Sequence, residues 1–229
     1  MDADLAARLD EVDASIAGAA RSAGRDPAAV TRIVITKFHP LSLIRDLVDL
    51  GVRDVGENRQ QEISEKVAEF GRPEGLTWHF VGQVQTKKAR AVREAASVVH
   101  SLDRARLADA LDRAGADGSA PLDVLIQVNL TEDPDRGGVA PADIESLTEH
   151  VLSCGTLRLR GIMAVAPLDE EPAAAFARLA DYAGRLRAVA PSADWISAGM
   201  SADFAEAIAA GATHLRIGSA ITGPRPERR

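Results

Sequence analysis

Residues 31–37, "TRIVITK", contain a short apolar run that ends in two polar residues. Similar short apolar runs recur along the chain. The β-branched run from Ile33 to Ile35 favours a buried strand, and Lys37 stands at its end. Short apolar runs of this kind are typical of strands that are covered on both faces. Eight strands are predicted: "TRIVITK" (31–37), "VRDVG" (52–56), "TWHFVG" (77–82), "SVVHS" (97–101), "LDVLIQVNL" (122–130), "LRLRGIMA" (157–164), "DWISAG" (194–199) and "THLRIG" (213–218).

The segments between these strands carry apolar residues three and four positions apart, which indicates amphipathic helices. Strand followed by helix, repeated eight times, predicts an α/β protein with a (β/α)8 TIM-type barrel. A doubly wound open sheet is the alternative, but eight strands in a chain of 229 residues favour closure. An extra N-terminal helix over residues 3–22 is predicted from the spacing of Leu5, Leu9, Val12 and Ile16.

No Pro/Gly/Ser-rich linker divides the sequence, so we expect a single domain over residues 1–229. The barrel is predicted over residues 30–223 and a frayed polar tail over residues 224–229.

Composition narrows the classes of function. A formal net charge of −7 argues against a nucleic-acid partner, because phosphate backbones attract clustered positive charge. The single cysteine, Cys154, rules out an intrachain disulfide and a site with several thiolates, and we expect it to pack as a small buried residue. The acidic, amphipathic N-terminus does not resemble a signal peptide, and no stretch is apolar enough to span a membrane. A cytoplasmic location is therefore expected.

The residues after the seventh and eighth strands indicate an anion site. In a barrel of this type the loops at the carboxyl ends of the strands build the active site, and phosphate often binds after strands 7 and 8. Ser201 follows the seventh strand, and Gly218 and Ser219 follow the eighth. The stretch "MSADFAEAI" predicts a helix whose N-terminus would favour a phosphate. Alternatively, Ser201 is a helix cap and Gly218 a turn residue.

Arg216 and Lys37 extend this site. If Leu215 and Ile217 face the outer helices, Arg216 points into the barrel. Its partner is then either an internal group such as Glu57 or Gln127, or an acceptor atom on a ligand. An amine, an arginine and a phosphate site together suit pyridoxal 5′-phosphate, whose aldehyde forms a Schiff base with lysine. Alternatively, Lys37 is a solvated lysine at a strand end.

A metal hydrolase on the same barrel is disfavoured. No pair of histidines has H-x-H or H-x-x-x-H spacing, so no metal site is predicted. The five histidines are His39, His79, His100, His150 and His214.

Seven segments of the sequence resemble the pyridoxal-phosphate homeostasis proteins, which are related to the N-terminal barrel of alanine racemase. They are "VITKFHP", "VGENRQQE", "WHFVGQVQTKK", "VLIQVNL", "RLRGIMAVAP", "SAGMSADFAEAIAAGAT" and "LRIGSAITG". The resemblance implies that Lys37 holds the cofactor as a Schiff base and that Arg216 faces the pyridine nitrogen. It implies that the phosphate is held by Ser201, Gly218 and Ser219, and that Asn58 lies beside the ring and Met200 at its edge.

The sequence departs from the family at His39, where a second lysine is usual, so a role for that lysine in cofactor transfer is not carried over. The family implies a protein that binds and supplies the cofactor without robust catalysis, with apo enzymes as recipients. The alternative is an amino-acid racemase of the alanine racemase type. Those enzymes add a C-terminal β-domain and a catalytic tyrosine, whereas the one tyrosine here, Tyr182, falls in a predicted outer helix and the sequence ends soon after the eighth strand. We expect a monomer.

Overall fold

The computed structural model describes residues 3–115, 120–133 and 136–224. Its eight strands are β1 (Thr31–Ile35), β2 (Asp54–Glu57), β3 (Thr77–Phe80), β4 (Val98–Leu102), β5 (Leu122–Gln127), β6 (Leu157–Met163), β7 (Trp195–Ser197) and β8 (His214–Ile217). Its α-helices are α1 (Ala3–Ser22), α2 (Leu41–Asp49), α3 (Gln60–Phe70), α4 (Ala89–Ala95), α5 (Ala105–Arg113), α6 (Ile144–Ser153), α7 (Pro172–Val189), α8 (Phe204–Ala209) and α9 (Ser219–Thr222). The predicted tail beyond Pro224 lies outside the described residues.

All eight strands are parallel and close into a barrel in sequence order, with β1 pairing β8 as well as β2. This confirms the predicted (β/α)8 barrel and the extra N-terminal helix. Closure leaves no open edge, so every strand has two hydrogen-bonded neighbours.

The strands bury side chains on both faces. The larger apolar cluster lies between the strands and the helices and includes Val34, Val124 and Leu215. A smaller cluster of Val98, Leu125 and Met163 is separate from it. Because neighbouring residues of a strand point to opposite faces, this smaller cluster lies inside the barrel. The larger cluster attaches the helices to the barrel, as the strand pattern predicts.

Helix α1 packs beside the last two helices. It contacts α8 and α9, and Arg8 Nε donates a hydrogen bond of 2.8 Å to the carbonyl oxygen of Ile221. Arg25, just after α1, donates to the carbonyl oxygens of Ile208 and Ala212 at 2.8 and 2.7 Å. The extra helix therefore supports the elements around β8.

Strand β5 ends earlier than predicted, at Gln127, because Asn129 turns the chain into a loop. The Asn129 amide donates to the carbonyl oxygens of Asp133 and Arg136, and its oxygen accepts from Thr131. Asn129 therefore organises a loop at the carboxyl end of the barrel. In the part of the chain that the structure describes, no helix is long and apolar enough to cross a bilayer.

Candidate functional site

The seven residues predicted for the cofactor site line one cavity at the carboxyl ends of the strands. Its volume is about 630 Å³, which falls in the range of pockets for small ligands. Its apolar lining includes Ile35 from β1 and Met163 from β6. The predicted residues in the cavity are Lys37, Asn58, Met200, Ser201, Arg216, Gly218 and Ser219.

Lys37 stands in a tight turn that follows β1. The next residue, Phe38, has φ +68°, a left-handed conformation that costs a non-glycine residue about 1–3 kcal/mol. The backbone N–H of Phe38 donates to a Glu62 carboxylate oxygen at 2.8 Å, and the Arg59 guanidinium lies 4.8 Å from the Phe38 ring centre. These contacts hold the turn in its strained form and thereby fix the backbone from which the Lys37 amine extends into the cavity.

His39 also lines the cavity, close to Lys37 in sequence. Partial burial, and to a smaller extent the charge of Lys66, lower the pKa of His39 below its ordinary value. A neutral imidazole therefore stands at the position where the resemblance to the family led us to expect a second lysine. The sequence showed this departure but could not show that the ring faces the cavity.

Asn58 has an unsatisfied polar atom at the cavity. Its side-chain oxygen is buried and has no hydrogen-bond partner within the described residues, although Asn58 lines the cavity. Buried polar atoms without a partner are rare in folded proteins, because leaving one unpaired costs free energy that a bound ligand can recover. The Asn58 amide is thus placed to meet a polar group of a ligand.

Glu57, next to Asn58, faces away from the cavity. It is fully buried between β2 and α3, where Lys66 Nζ donates to its Oε1 at 2.5 Å and Thr36 Oγ1 donates at 2.6 Å. Lys66 Nζ also donates to the Thr36 carbonyl oxygen at 3.0 Å. Burial raises the pKa of Glu57 above its ordinary value, and the hydrogen bonds and charge of Lys66 oppose that shift. This buried pair supports the β1 and β2 strand ends from behind.

Gly82 touches the backbone that carries Asn58. A Cβ added at Gly82 would lie 2.0 Å from the Asn58 carbonyl oxygen, whereas one added at Gly155 meets nothing within 4 Å. We expect Gly82→Ala to force a backbone shift and to lower the free energy of unfolding by about 1–3 kcal/mol. Urea unfolding measures this, with Gly155→Ala as the control. Equal stability of the two variants would contradict the close approach.

The residues of the predicted anion site line the same cavity as Asn58. Gly218 occupies the capping position of α9, and Ser219 is its first residue. The first N–H groups of a helix have no partner within it, and a short extra helix after strand 8 recurs in phosphate-binding barrels. Ser201 lies in the neighbouring turn.

The helix predicted from "MSADFAEAI" begins at Phe204, not beside Ser201. Gly199, at φ +89°, starts the intervening turn, where a Cβ would lie 2.7 Å from the Ala207 Cβ. The turn is closed by the Met200 N–H, which donates to Asp203 Oδ1 at 2.6 Å. The helix start nearest the predicted anion site is therefore that of α9, which the sequence pattern did not predict.

Arg216 points into the barrel, as the alternation in β8 predicts, and is only 6% exposed. The internal partners expected for it, Glu57 or Gln127, were wrong: its Nη1 donates to Ser197 Oγ at 2.7 Å and its Nη2 to the Ala164 carbonyl oxygen at 2.8 Å. Burial lowers the pKa of Arg216 to about 10, and the nearby charge of Asp203 opposes the shift. The guanidinium is thus charged at neutral pH, held in one plane, and still has N–H groups to offer a ligand.

Two residues weighed in the sequence lie elsewhere. Tyr182 is in α7, packed on the outer cluster with the Arg185 guanidinium 5.5 Å from its ring centre.

Cys154 is buried at the end of α6. Its thiol lies near His150 and Asp109, and the ligand atoms of the three residues are within 4.8 Å of one another. His150 Nε2 and Asp109 Oδ1 already bond at 2.8 Å, and burial raises the pKa of the Cys154 thiol, so we interpret this group as a structural cluster.

Comparison with known proteins shows which family the chain belongs to. Residues 35–226 match the family described as the alanine racemase N-terminal domain. The chain is 39% identical over 221 residues to the pyridoxal phosphate homeostasis protein of Pseudomonas aeruginosa, with 96% of each covered. It is 37% identical over 227 residues to that of Escherichia coli K12, with 97% of each covered. The chain belongs to the family of the pyridoxal phosphate homeostasis proteins, which confirms the resemblance seen in the sequence.

A solved structure agrees with this assignment. PipY from Synechococcus elongatus PCC7942, determined with pyridoxal phosphate bound, superposes with a TM-score of 0.83 at 34% identity. The match covers 96% of this chain and 100% of PipY.

Proposed function

We propose that this chain binds pyridoxal 5′-phosphate in the cavity at the carboxyl ends of the strands and holds it on Lys37 as a Schiff base. The observation that carries the proposal is the meeting of three groups in one cavity: the Lys37 amine, the charged Arg216 and the start of α9. The unsatisfied side-chain oxygen of Asn58 supports it, because a donor on a bound ring, such as its hydroxyl group, would supply the missing partner. The names of the relatives and the ligand of PipY point the same way.

Each residue has a separate task in this proposal. Ser201, Gly218 and Ser219 receive the phosphate, and Arg216 donates a hydrogen bond to the ring nitrogen. Asn58 lies beside the ring and Met200, which is 37% exposed, covers its edge. When bound, the cofactor supplies an aldehyde that reacts with amines and a ring that withdraws electrons.

We further propose that the protein buffers and supplies the cofactor within the cell and is not a robust enzyme. An arginine at the ring nitrogen disfavours protonation of that nitrogen, which weakens the ring as an electron sink. A racemase also needs a base on each face of the substrate carbon. Among the described residues of the cavity, the titratable side chains are Lys37, His39 and Arg216, and Tyr182 lies outside it. A cytoplasmic location, a single domain and a monomeric state remain predictions.

His39 is the reason to test the racemase alternative directly, since a neutral imidazole at the cavity is able to act as a base. The protein is saturated with pyridoxal 5′-phosphate, incubated with L-alanine and other amino acids, and assayed for the D-enantiomers by chiral chromatography. We expect no appreciable racemisation. Robust turnover that is lost in His39→Gln would establish the enzyme instead.

The proposed supply of cofactor is tested by measuring its transfer from this protein to another enzyme. The loaded protein is mixed with an apo enzyme that depends on the cofactor, and the recovery of that enzyme's activity is followed over time. We expect recovery in the presence of a phosphatase that destroys free pyridoxal 5′-phosphate. Recovery no faster than with free cofactor under the same conditions would contradict delivery.

A further inference from the structure

Five polar side chains form a continuous line of hydrogen bonds through the inside of the barrel, which we call the polar relay: Asp54, His79, His100, Ser197 and Arg216. His79 Nε2 lies 3.0 Å from Asp54 Oδ1, and His79 Nδ1 lies 2.9 Å from His100 Nε2. His100 Nδ1 lies 2.9 Å from Ser197 Oγ, which accepts from Arg216 at 2.7 Å. The bond between His100 and Ser197 joins β4 to β7, which are not neighbours, so it crosses the interior.

The relay connects the two ends of the barrel. Asp54 is the first residue of β2, at the amino ends of the strands, and its side chain is 25% exposed. Arg216 lies near the carboxyl end of β8 and lines the cofactor cavity. The three side chains between them are at most 1% exposed. Water therefore does not reach the middle of the relay, and each donor there must find an acceptor within the protein.

The chemistry of the side chains fixes the direction of every hydrogen bond. Arginine only donates, so Ser197 Oγ accepts from Arg216. Among the described residues, the Ser197 side chain forms hydrogen bonds only with those of Arg216 and His100, so the Ser197 hydroxyl donates to His100 Nδ1.

The remaining two bonds then follow. His100 Nδ1 accepts, so the proton of the neutral ring is on Nε2 and is donated to His79 Nδ1. The neutral His79 ring in turn carries its proton on Nε2 and donates it to Asp54 Oδ1. Burial lowers the pKa of His100 well below its ordinary value, and the positive charge of Arg216 acts in the same direction, in agreement with a neutral ring.

Arg216 is buried and charged, and the nearby charge of Asp203 acts on it, but no carboxylate lies within ion-pair distance of it in the part of the chain that the structure describes. A buried cation is costly unless it is hydrogen-bonded and its charge is balanced. Hydrogen bonds that point in one direction polarise one another, so the Asp54 carboxylate makes Ser197 Oγ a stronger acceptor for the guanidinium.

We propose that Asp54 is a positioning residue for the cofactor: through the polar relay it holds the Arg216 guanidinium and compensates its charge from the opposite end of the barrel. This inference rests on the proposed function, because Arg216 acts on the cofactor only if the cavity binds it. Asp54 itself touches neither the cavity nor the ligand.

The direction of the relay is measured without cofactor. Long-range 1H–15N NMR of the histidine rings distinguishes the two neutral tautomers, and single His→Gln variants assign the signals. We expect both His79 and His100 to carry the proton on Nε2 at neutral pH. A proton on Nδ1 of His100 would overturn the proposal, because Ser197 would then have no acceptor.

The effect on the cofactor is measured with two substitutions and a control. Asp54→Ala removes both charge and acceptor, whereas Asp54→Asn keeps an acceptor oxygen without the charge. Asp13→Asn removes a charge from the same surface cleft, which both carboxylates line, without touching the relay. The dissociation constant for pyridoxal 5′-phosphate is measured by equilibrium dialysis, and the absorbance spectrum of each complex is recorded.

For Asp54→Ala we expect the dissociation constant to rise by about threefold to tenfold, in the range of one ordinary hydrogen bond, with a shifted absorbance maximum. Asp54→Asn should show a smaller rise and Asp13→Asn none. The proposal would be overturned if Asp54→Ala had the same dissociation constant and absorbance spectrum as Asp13→Asn. If the unmodified protein takes up no cofactor, the proposed function fails and the cofactor role of Asp54 with it. The NMR result separates that failure from an error in the relay.

Discussion

Lys37→Ala is expected to abolish the yellow colour that the protein acquires with pyridoxal 5′-phosphate. The band near the visible region arises from the Schiff base, and in the proposed site Lys37 is the lysine in the cavity. The measurement is the absorbance of dialysed protein before and after borohydride, which reduces a Schiff base to a stable secondary amine. We expect the unmodified protein to lose its band on reduction and to retain the label, and the variant to show neither.

The labelled residue is easy to identify because the sequence has only four lysines, Lys37, Lys66, Lys87 and Lys88. Peptide mass spectrometry of the reduced protein locates the label directly. Lys87 and Lys88 are exposed, so Lys88→Ala serves as a matched control that removes an amine without disturbing the barrel. A label on any lysine other than Lys37, or a full band in Lys37→Ala, would refute the assignment.

Lys66→Met is expected to lower the free energy of unfolding by about 3–5 kcal/mol, although Lys66 lies outside the cavity. The substitution leaves the Glu57 carboxylate fully buried without its cation, while Glu57 Oε2 already lacks a partner among the described residues. An uncompensated buried charge is among the most destabilising changes a protein can suffer. Urea unfolding at neutral pH gives the difference directly.

A second substitution tests the cause. Glu57→Gln in the Lys66→Met background removes the unpaired charge, and we expect it to recover most of the lost stability. The Glu57→Gln amide still offers an oxygen to Thr36 Oγ1, which now donates to Glu57. If the double variant is no more stable than Lys66→Met, lost packing of the lysine stem explains the effect and the ion pair does not.

The sequence predicted the barrel well because its signal is local. Most strands contain a short apolar run, such as Ile33 to Ile35, and the polar residues that follow it mark the carboxyl end of the strand. Once eight parallel strands close, those ends must lie together, so residues as distant as Lys37 and Ser219 come to line one cavity. Helix α9 was missed because four residues are too few to show a helical period.

The polar relay and the buried ion pair could not be predicted in the same way. Alternation places His79, His100 and Ser197 inside the barrel, but which side chains meet across the interior depends on the stagger of the strands. The partner of Arg216 was wrongly expected to be Glu57 or Gln127 for this reason. Glu57 faces the helix layer and bonds Lys66, and Gln127 donates to the Gly137 carbonyl oxygen. The left-handed backbone conformation of Phe38 could not be predicted either, because phenylalanine rarely adopts a positive φ and nothing in the sequence marks this position.

The contact between α1 and α9 joins residues that are far apart in the sequence, so it can form only late in the synthesis of the chain. Arg8 leaves the ribosome 213 positions before its acceptor at Ile221. The pairing of β1 with β8 spans a similar separation. A nascent chain therefore has Lys37 long before it has Ser219, so in the proposed site the amine is made well before the residues that would hold the phosphate. Capture of the cofactor at the proposed site thus requires that synthesis has passed α9.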